Sequence, residues 1–159
     1  MKKFLKGFVY AGKGVIYCFR HEMNMRVHLC FTVYMFAFLN FKGFFEISRA
    51  EFGVLLALCA LVLSLEAVNT ALERAVNLVT REENPIAGAA KDAAAGAVLI
   101  SAIFSVIAGI VIMYQPKAFE ALFAYYKTNP LMLCMLIVSI ILSLMFVFLP
   151  GRGKGKKND

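Results

Sequence analysis

Four polar side chains recur at helical spacing within one segment of the chain: Glu66, Asn69, Glu73 and Asn77. Intervals of three and four residues bring such side chains to one side of a helix, where they form a single polar stripe. The next apolar segment supplies the adjacent pair Lys91-Asp92. Carboxylates and carboxamides suit Mg²⁺, and a lysine suits phosphate, so this set of residue types points to phosphoryl transfer.

Phosphoryl transfer needs a group that orients or deprotonates the attacking hydroxyl, carboxylates for the metal and a cation for the phosphates. The stripe and the Lys91-Asp92 pair contain all three. The sequence contains no Walker A loop. Gly12-Lys13-Gly14 is too short, and the glycine-lysine run over 151–157 lacks the spacing and the final Ser or Thr of that motif. We interpret that run as a solvated basic tail.

The composition is that of a membrane protein. The 159 residues are 61% hydrophobic and only 17% charged, and the mean hydropathy is +0.74. Residues 131–149 and 93–114 contain no charged side chain, and each segment is long enough to cross a hydrocarbon layer of roughly 30 Å. The net charge of +7 collects at the chain ends, which favours anionic lipid headgroups and argues against nucleic acid as a partner.

The hydrophobic pattern predicts an all-α chain with two interfacial and four spanning helical segments. The interfacial helices are expected over 2–22, which is amphipathic, and over 117–129. The spanning segments are expected over 27–41, 52–65, 87–114 and 131–149. The second span continues as helix through the polar stripe to Asn77, and a basic tail follows from Pro150.

The distribution of Lys and Arg predicts the orientation. Six precede the first span, four follow the last and three lie between the second and third, against two in each remaining loop. Both termini and the middle loop are therefore expected in the cytoplasm. The basic start does not have the pattern of a secretory signal peptide, so the first spanning helix is expected to direct insertion.

The same orientation predicts the depth of Glu66. Counted from Phe52, a rise of roughly 1.5 Å per residue puts Glu66 about 21 Å across a layer of about 30 Å. That position is below the cytoplasmic surface. A charged residue there costs about 2.5 to 3.5 kcal/mol on insertion scales, so a functional role is the expected interpretation.

Two long segments carry a family resemblance. The sequences EAVNTALERAVN over 66–77 and AKDAAAGAVLI over 90–100 resemble the bacterial diacylglycerol kinase/undecaprenol kinase family. In addition, EMNMRVH over 22–28 is similar to the E-x-N-x-R-x-H stretch of Gram-positive members, which act mainly on undecaprenol. The resemblance covers residues 1–115, so residues 116–159 are interpreted as a C-terminal extension with a fourth transmembrane helix and the basic tail.

The resemblance implies roles for the polar residues. Glu66 would act as the general base toward a lipid hydroxyl, and Glu22 and Glu73 would hold Mg²⁺ against the phosphates of ATP. The remaining nucleotide- and phosphate-binding residues would be Asn69, Asn77, Lys91 and Asp92, together with Glu73. Family membership also implies a homotrimer with active sites shared between subunits, in the plasma membrane of a bacterial cell.

The chain departs from the family pattern in three places. Asn77 stands where members usually carry Asp, and Glu82-Glu83-Asn84 replaces a Glu-Tyr-His run, so the adenosine contacts are the least specified part of the site. The third departure is the additional span and tail. In some relatives such a helix leads into a phosphatidic-acid-phosphatase-like domain. Two alternatives therefore stay open: this chain is a free-standing variant, or it is the N-terminal part of a kinase-phosphatase fusion.

The leading hypothesis is an ATP-dependent kinase that converts undecaprenol to undecaprenyl phosphate. Diacylglycerol as the acceptor is the alternative within this class, since both lipids present a primary hydroxyl on apolar chains. A non-catalytic membrane scaffold and a small transporter that binds a cation at Glu66 and Glu73 are the alternatives from other classes. A transporter requires ionisable groups with a path to both faces of the membrane.

Overall fold

The computed structural model describes residues 2–80 and 82–148, and within these ranges the chain forms helices and no strand. The six helices are α1 Lys2–His21, α2 Met23–Asn40, α3 Arg49–Val79, α4 Pro85–Met113, α5 Pro116–Thr128 and α6 Pro130–Phe148. Each corresponds to a segment expected from the hydrophobic pattern, so the predicted all-α fold is confirmed. The predicted basic tail from Pro150 lies outside the described residues.

Three helices are long and apolar enough to cross a membrane: α3, α4 and α6. Most of their apolar side chains face outward, as expected for helices that contact lipid. Helix α2, with 18 residues, is not among the three, because Asn24, Arg26 and His28 lower the hydropathy of its first half. The chain is an all-α membrane protein, and the crossing by α2 stays a prediction.

Helix α3 carries both the second span and the polar stripe. It begins at Arg49, three residues before the predicted start at Phe52, because Ser48 and Glu51 form a capping box. Ser48 Oγ accepts from the Glu51 amide at 3.2 Å, and Glu51 Oε2 accepts from the Ser48 amide at 2.7 Å. The helix then runs for 31 residues, so one continuous element positions every side chain of the stripe.

Helix α4 packs along α3, and a short loop joins the two. Asn84 caps the start of α4 by accepting hydrogen bonds from the amides of Ile86 and Ala87, and Pro85 takes the first helical position, where it needs no amide partner. This sharp start brings the first turns of α4 beside the last turns of α3. Lys91 thereby comes within reach of the stripe.

Helices α5 and α6 fold back onto the first half of the chain. Gln115 pairs with the backbone of Glu46, its Nε2 donating to the carbonyl at 2.9 Å and its Oε1 accepting from the amide at 3.0 Å. A buried apolar cluster at the same end joins α5 to α2 and α3; its members are Leu39, Phe45, Leu55, Ala118 and Leu122. Helix α6 then packs against α2, so α2 lies between α3 and α6.

Candidate active site

Glu66 is the most deeply buried member of the polar stripe, with 2% of its surface exposed. Asn24, in the first turn of α2, hydrogen-bonds its carboxyl group. Its Oε2 has no hydrogen-bond partner among the described residues. A buried carboxylate oxygen without a partner is costly to maintain, and this oxygen is available to accept a proton or a hydrogen bond from a substrate hydroxyl.

Two further carboxylates interact electrostatically with Glu66: Glu22 and Glu73. Glu22 stands at the junction of α1 and α2, and Glu73 is exposed two turns further along α3. The predicted base and the two predicted metal ligands therefore gather in one region. Like charges this close repel one another, so the region favours a bound cation.

One cation already reaches this region from the protein itself. Arg74 Nη2 donates to Glu22 Oε1 at 3.0 Å, in an ion pair that water partly reaches. The Arg74 guanidinium also lies over the ring of Tyr17, with its carbon 5.4 Å from the ring centroid. Helices α1 and α3 are thus tied to Glu22, although a partly exposed ion pair adds about 1 kcal/mol at most.

The donor set fits Mg²⁺ shared with a substrate better than a metal caged by the protein. Within the described residues no group of three or more His, Cys, Asp or Glu side chains is arranged to hold a metal ion. Mg²⁺ is commonly bound by one or two carboxylates, with substrate phosphates and water completing its shell. Glu22 and Glu73 match that requirement, and their role as ligands stays a prediction.

The other end of the stripe opens onto a cavity of about 580 Å³. Lys91 Nζ donates to Asn77 Oδ1 at 2.7 Å, which joins α4 to α3 at the cavity wall. Glu82, Glu83 and Asn84 line the same cavity from the connecting loop. The volume lies within the range of about 300 to 1,000 Å³ usual for small-molecule sites.

The two remaining predicted site residues form no polar contact within the part of the chain that the structure describes. Asn69 is half-buried between Glu66 and Glu73, and Asp92 is exposed one residue beyond Lys91. Among the described residues neither forms a hydrogen bond or an ion pair. Both sit beside residues of the site, and their predicted nucleotide and phosphate contacts stay predictions.

Asn24 is the residue that reasoning from the stripe alone does not assign to the site. It occupies the third position of the E-x-N-x-R-x-H stretch, which is the signal that could have identified it. Its contact with Glu66 joins α2 to α3, and contacts between separate helices cannot be deduced from periodicity within one of them. Arg26 of the same stretch is also buried, with 6% exposed.

Comparison with known proteins identifies related sequences. The family model of prokaryotic diacylglycerol kinase matches residues 9–113. The undecaprenol kinase of Bacillus subtilis is 40% identical over 117 residues, which cover 74% of this chain and 92% of that protein. A diacylglycerol kinase of Synechocystis sp. is 38% identical, over 70% of this chain and 63% of its own length. No solved structure matches the chain significantly.

A further relative, the diacylglycerol kinase of Pseudomonas aeruginosa, is 30% identical over 64% of this chain and 80% of its own length. The helical membrane fold, taken with these matches, defines the class as membrane lipid kinases. The chain belongs to the prokaryotic diacylglycerol kinase family. The family match ends at residue 113, so α5 and α6 lie beyond it.

Proposed function

We propose that this lipid kinase transfers the γ-phosphoryl group of ATP to the hydroxyl of undecaprenol, giving undecaprenyl phosphate and ADP. The observation that carries the chemistry is the buried carboxyl of Glu66, which has a hydrogen bond from Asn24 on one side and an unpartnered oxygen on the other. The choice of acceptor rests on the similarity to the Bacillus subtilis undecaprenol kinase over 92% of its length.

In the proposed reaction Glu66 acts as the general base. Its unpartnered oxygen accepts the proton of the lipid hydroxyl while the hydroxyl oxygen forms a bond to the γ-phosphorus. The bond between that phosphorus and the bridging oxygen breaks, and the electron pair leaves with ADP. A base positioned in this way contributes roughly 10²- to 10⁴-fold to a rate.

Glu22 and Glu73 are the residues that would hold Mg²⁺, which when bound neutralises charge on the phosphates of ATP. In this arrangement Glu22 also forms an ion pair with Arg74, which adds positive charge beside the metal site. Lys91, which donates a hydrogen bond to Asn77 at the cavity wall, would contact a phosphate. Asn69 and Asp92 complete the proposed nucleotide and phosphate site.

We assign the site to the cytoplasmic face of a bacterial plasma membrane, with both termini in the cytoplasm, on the distribution of Lys and Arg. We propose a homotrimer from the family resemblance, and the small residues on one face of α4 support it. A Cβ added at Gly88 or Gly96 would meet nothing within 4 Å, so the small-residue face of α4 leaves room for another helix. Residues 1–115 would form the kinase domain and 116–159 the extension.

A direct test is to purify the full chain in nanodiscs and follow transfer from labelled ATP to undecaprenol and to diacylglycerol in parallel. The proposal expects transfer to undecaprenol with a higher kcat/KM than transfer to diacylglycerol. For Glu66→Ala it expects a rate roughly 10²- to 10⁴-fold lower. Preference for diacylglycerol would establish the second candidate, which the relatives from Synechocystis and Pseudomonas favour. Failure of the folded protein to phosphorylate either lipid would overturn the kinase proposal and favour a scaffold.

A further inference from the structure

Helix α6 lies beyond the family match, yet it packs directly against α2 of the matched region. At mid-helix, Tyr34 Oη donates to Ser139 Oγ at 3.0 Å and lies 3.1 Å from Ser143 Oγ. Hydroxyl groups in an apolar environment are costly without partners, so these contacts define how α6 aligns along α2. The alignment is therefore specific rather than a loose apolar contact.

A second contact lies nearer the start of α2. The carbon of the Arg26 guanidinium is 5.9 Å from the centroid of the Phe146 ring, and Arg26 Nε has no hydrogen-bond partner among the described residues. A cation that is removed from water interacts more strongly with an aromatic face than an exposed one does. Phe146 of α6 thus supplies an aromatic partner for the buried Arg26 cation of α2.

The contacted end of α2 is also the end that reaches the active site. Arg26 is two residues from Asn24, which hydrogen-bonds the Glu66 carboxyl, and four residues from Glu22, whose carbonyl accepts from the Arg26 amide at 3.4 Å. Glu22 precedes the helix without making a side-chain cap. The first turn of α2 therefore has little local stabilisation of its own, and its position depends on packing.

We propose that α6 is a positioning element of the kinase site. Through Phe146 and the two serines that contact Tyr34, α6 holds α2 so that Asn24 keeps its hydrogen bond to Glu66. The inference rests on the proposed function, because the position of Asn24 matters for the reaction only if Glu66 is the base. Displacement of a reacting group by about 1 Å can lower a rate on the order of 10²-fold, so a helix far from the chemistry can control it.

The test uses the full chain in nanodiscs and begins with three variants of α6. Phe146→Ala removes the ring, and Phe146→Tyr keeps an aromatic face as the conservative replacement. Phe148→Ala is the matched control, because Phe148 lies on the same helix and is 70% exposed. We expect Phe146→Ala to lower kcat about tenfold with KM for ATP unchanged, and Phe146→Tyr and Phe148→Ala to retain the wild-type kcat.

Tyr34→Phe provides an independent variant that removes only the hydroxyl. It should lower kcat in the same direction as Phe146→Ala and by a smaller factor, since α6 keeps its apolar contacts. If both Phe146→Ala and Tyr34→Phe keep the wild-type kcat, α6 does not position the site and the proposal is wrong.

A double-mutant cycle tests whether α6 acts on the site through Asn24. If α6 acts through Asn24, then Phe146→Ala on an Asn24→Ala background should cause little further loss, because the linked contact is already gone. Fully additive effects would exclude this route. Hydrogen exchange of the first amides of α2 gives a readout independent of activity, and faster exchange in Phe146→Ala is expected. Unchanged exchange would overturn the positioning role, whereas an inactive wild type would overturn only the proposed function.

Discussion

The two ends of the polar stripe on α3 differ in their access to water. Glu66 is enclosed by α2 and α3 and accepts a hydrogen bond from Asn24 in a desolvated environment. Asn77, about three turns further along the same helix, is exposed, and its partner Lys91 stands at the wall of a cavity of about 580 Å³. One helix therefore carries a closed end and an open end.

This difference indicates two kinds of contribution to one reaction. At the closed end the protein has already desolvated Glu66, the group proposed to meet the lipid hydroxyl, and electrostatic interactions are stronger there than in water. At the open end polar side chains surround a space that water can fill, so the ligand completes the site. Changes at the closed end should act mainly on kcat, and changes at the open end mainly on KM for ATP.

The largest effect is expected at the closed end. Glu66→Gln keeps the size of the side chain and removes the base, so kcat should fall roughly 10²- to 10⁴-fold while KM for ATP changes little. Steady-state kinetics with undecaprenol and ATP varied separately measure both quantities. Glu120→Gln on α5, an exposed glutamate distant from the stripe, is the matched control and should behave as wild type. A Glu66→Gln enzyme with full activity would remove Glu66 from its proposed role.

The boundary between the two ends is expected to show the next largest effect. Glu73→Gln removes one proposed Mg²⁺ ligand, so the Mg²⁺ concentration for half-maximal activity should rise about tenfold or more. Chelation of the metal should abolish activity in wild type and variant alike. Titration of activity with Mg²⁺ at saturating ATP measures the shift, and Glu46→Gln in the α2–α3 loop should leave the titration unchanged. An unaltered titration in Glu73→Gln would contradict its assignment as a ligand.

At the open end Lys91→Met should raise KM for ATP about tenfold, the loss expected for one hydrogen bond to a charged group, with a smaller change in kcat. Asn77→Ala removes the acceptor that holds Lys91 and should raise KM for ATP by less. Initial rates at varied ATP and saturating lipid distinguish these outcomes. If Lys91→Met instead lowers kcat as strongly as Glu66→Gln, the two ends do not divide the reaction as proposed.

The sequence predicted the contents of both ends because helical periodicity is a local property. Spacing placed Glu66, Asn69, Glu73 and Asn77 on one side of a helix, and the structure places them on the continuous helix α3. The distance from the start of the span predicted that Glu66 lies below the membrane surface, and that depth stays a prediction. What the structure adds is that the Glu66 side chain is buried within the protein. The early start of α3 was missed because the capping box of Ser48 and Glu51 precedes the apolar run.

The sequence did not predict the contacts between helices. Asn24 against Glu66, Arg74 against Glu22 and Phe146 against Arg26 each join residues from separate elements. Such pairs depend on how helices rotate and tilt against one another, which periodicity within one helix leaves undetermined. The pair of Lys91 and Asn77 was easier to anticipate, because a short capped loop allows few arrangements of α3 and α4.

The smallest effect concerns Cys18, which reports on the closed end without taking part in the reaction. It lies on α1, and burial raises the pKa of its thiol above the ordinary value, against the opposing hydrogen bond with Thr70. A raised pKa means less thiolate near neutral pH, since the thiolate fraction falls about tenfold for each pH unit below the pKa. Alkylation of Cys18 should therefore be slow at pH 7 and should keep accelerating as pH rises beyond the range where an exposed thiol has levelled off.

The reference for this measurement is a thiol at the open end. In a chain whose cysteines at positions 30, 59 and 134 are replaced by Ala, the alkylation rate of Cys18 is compared with that of Asn77→Cys in a Cys18→Ser background. We expect Cys18 to react on the order of tenfold more slowly at pH 7, from burial and lower thiolate content together. Equal rates and equal pH profiles would mean that water reaches both ends of the stripe alike, and the division between a closed acceptor end and an open nucleotide end would then lose its physical basis.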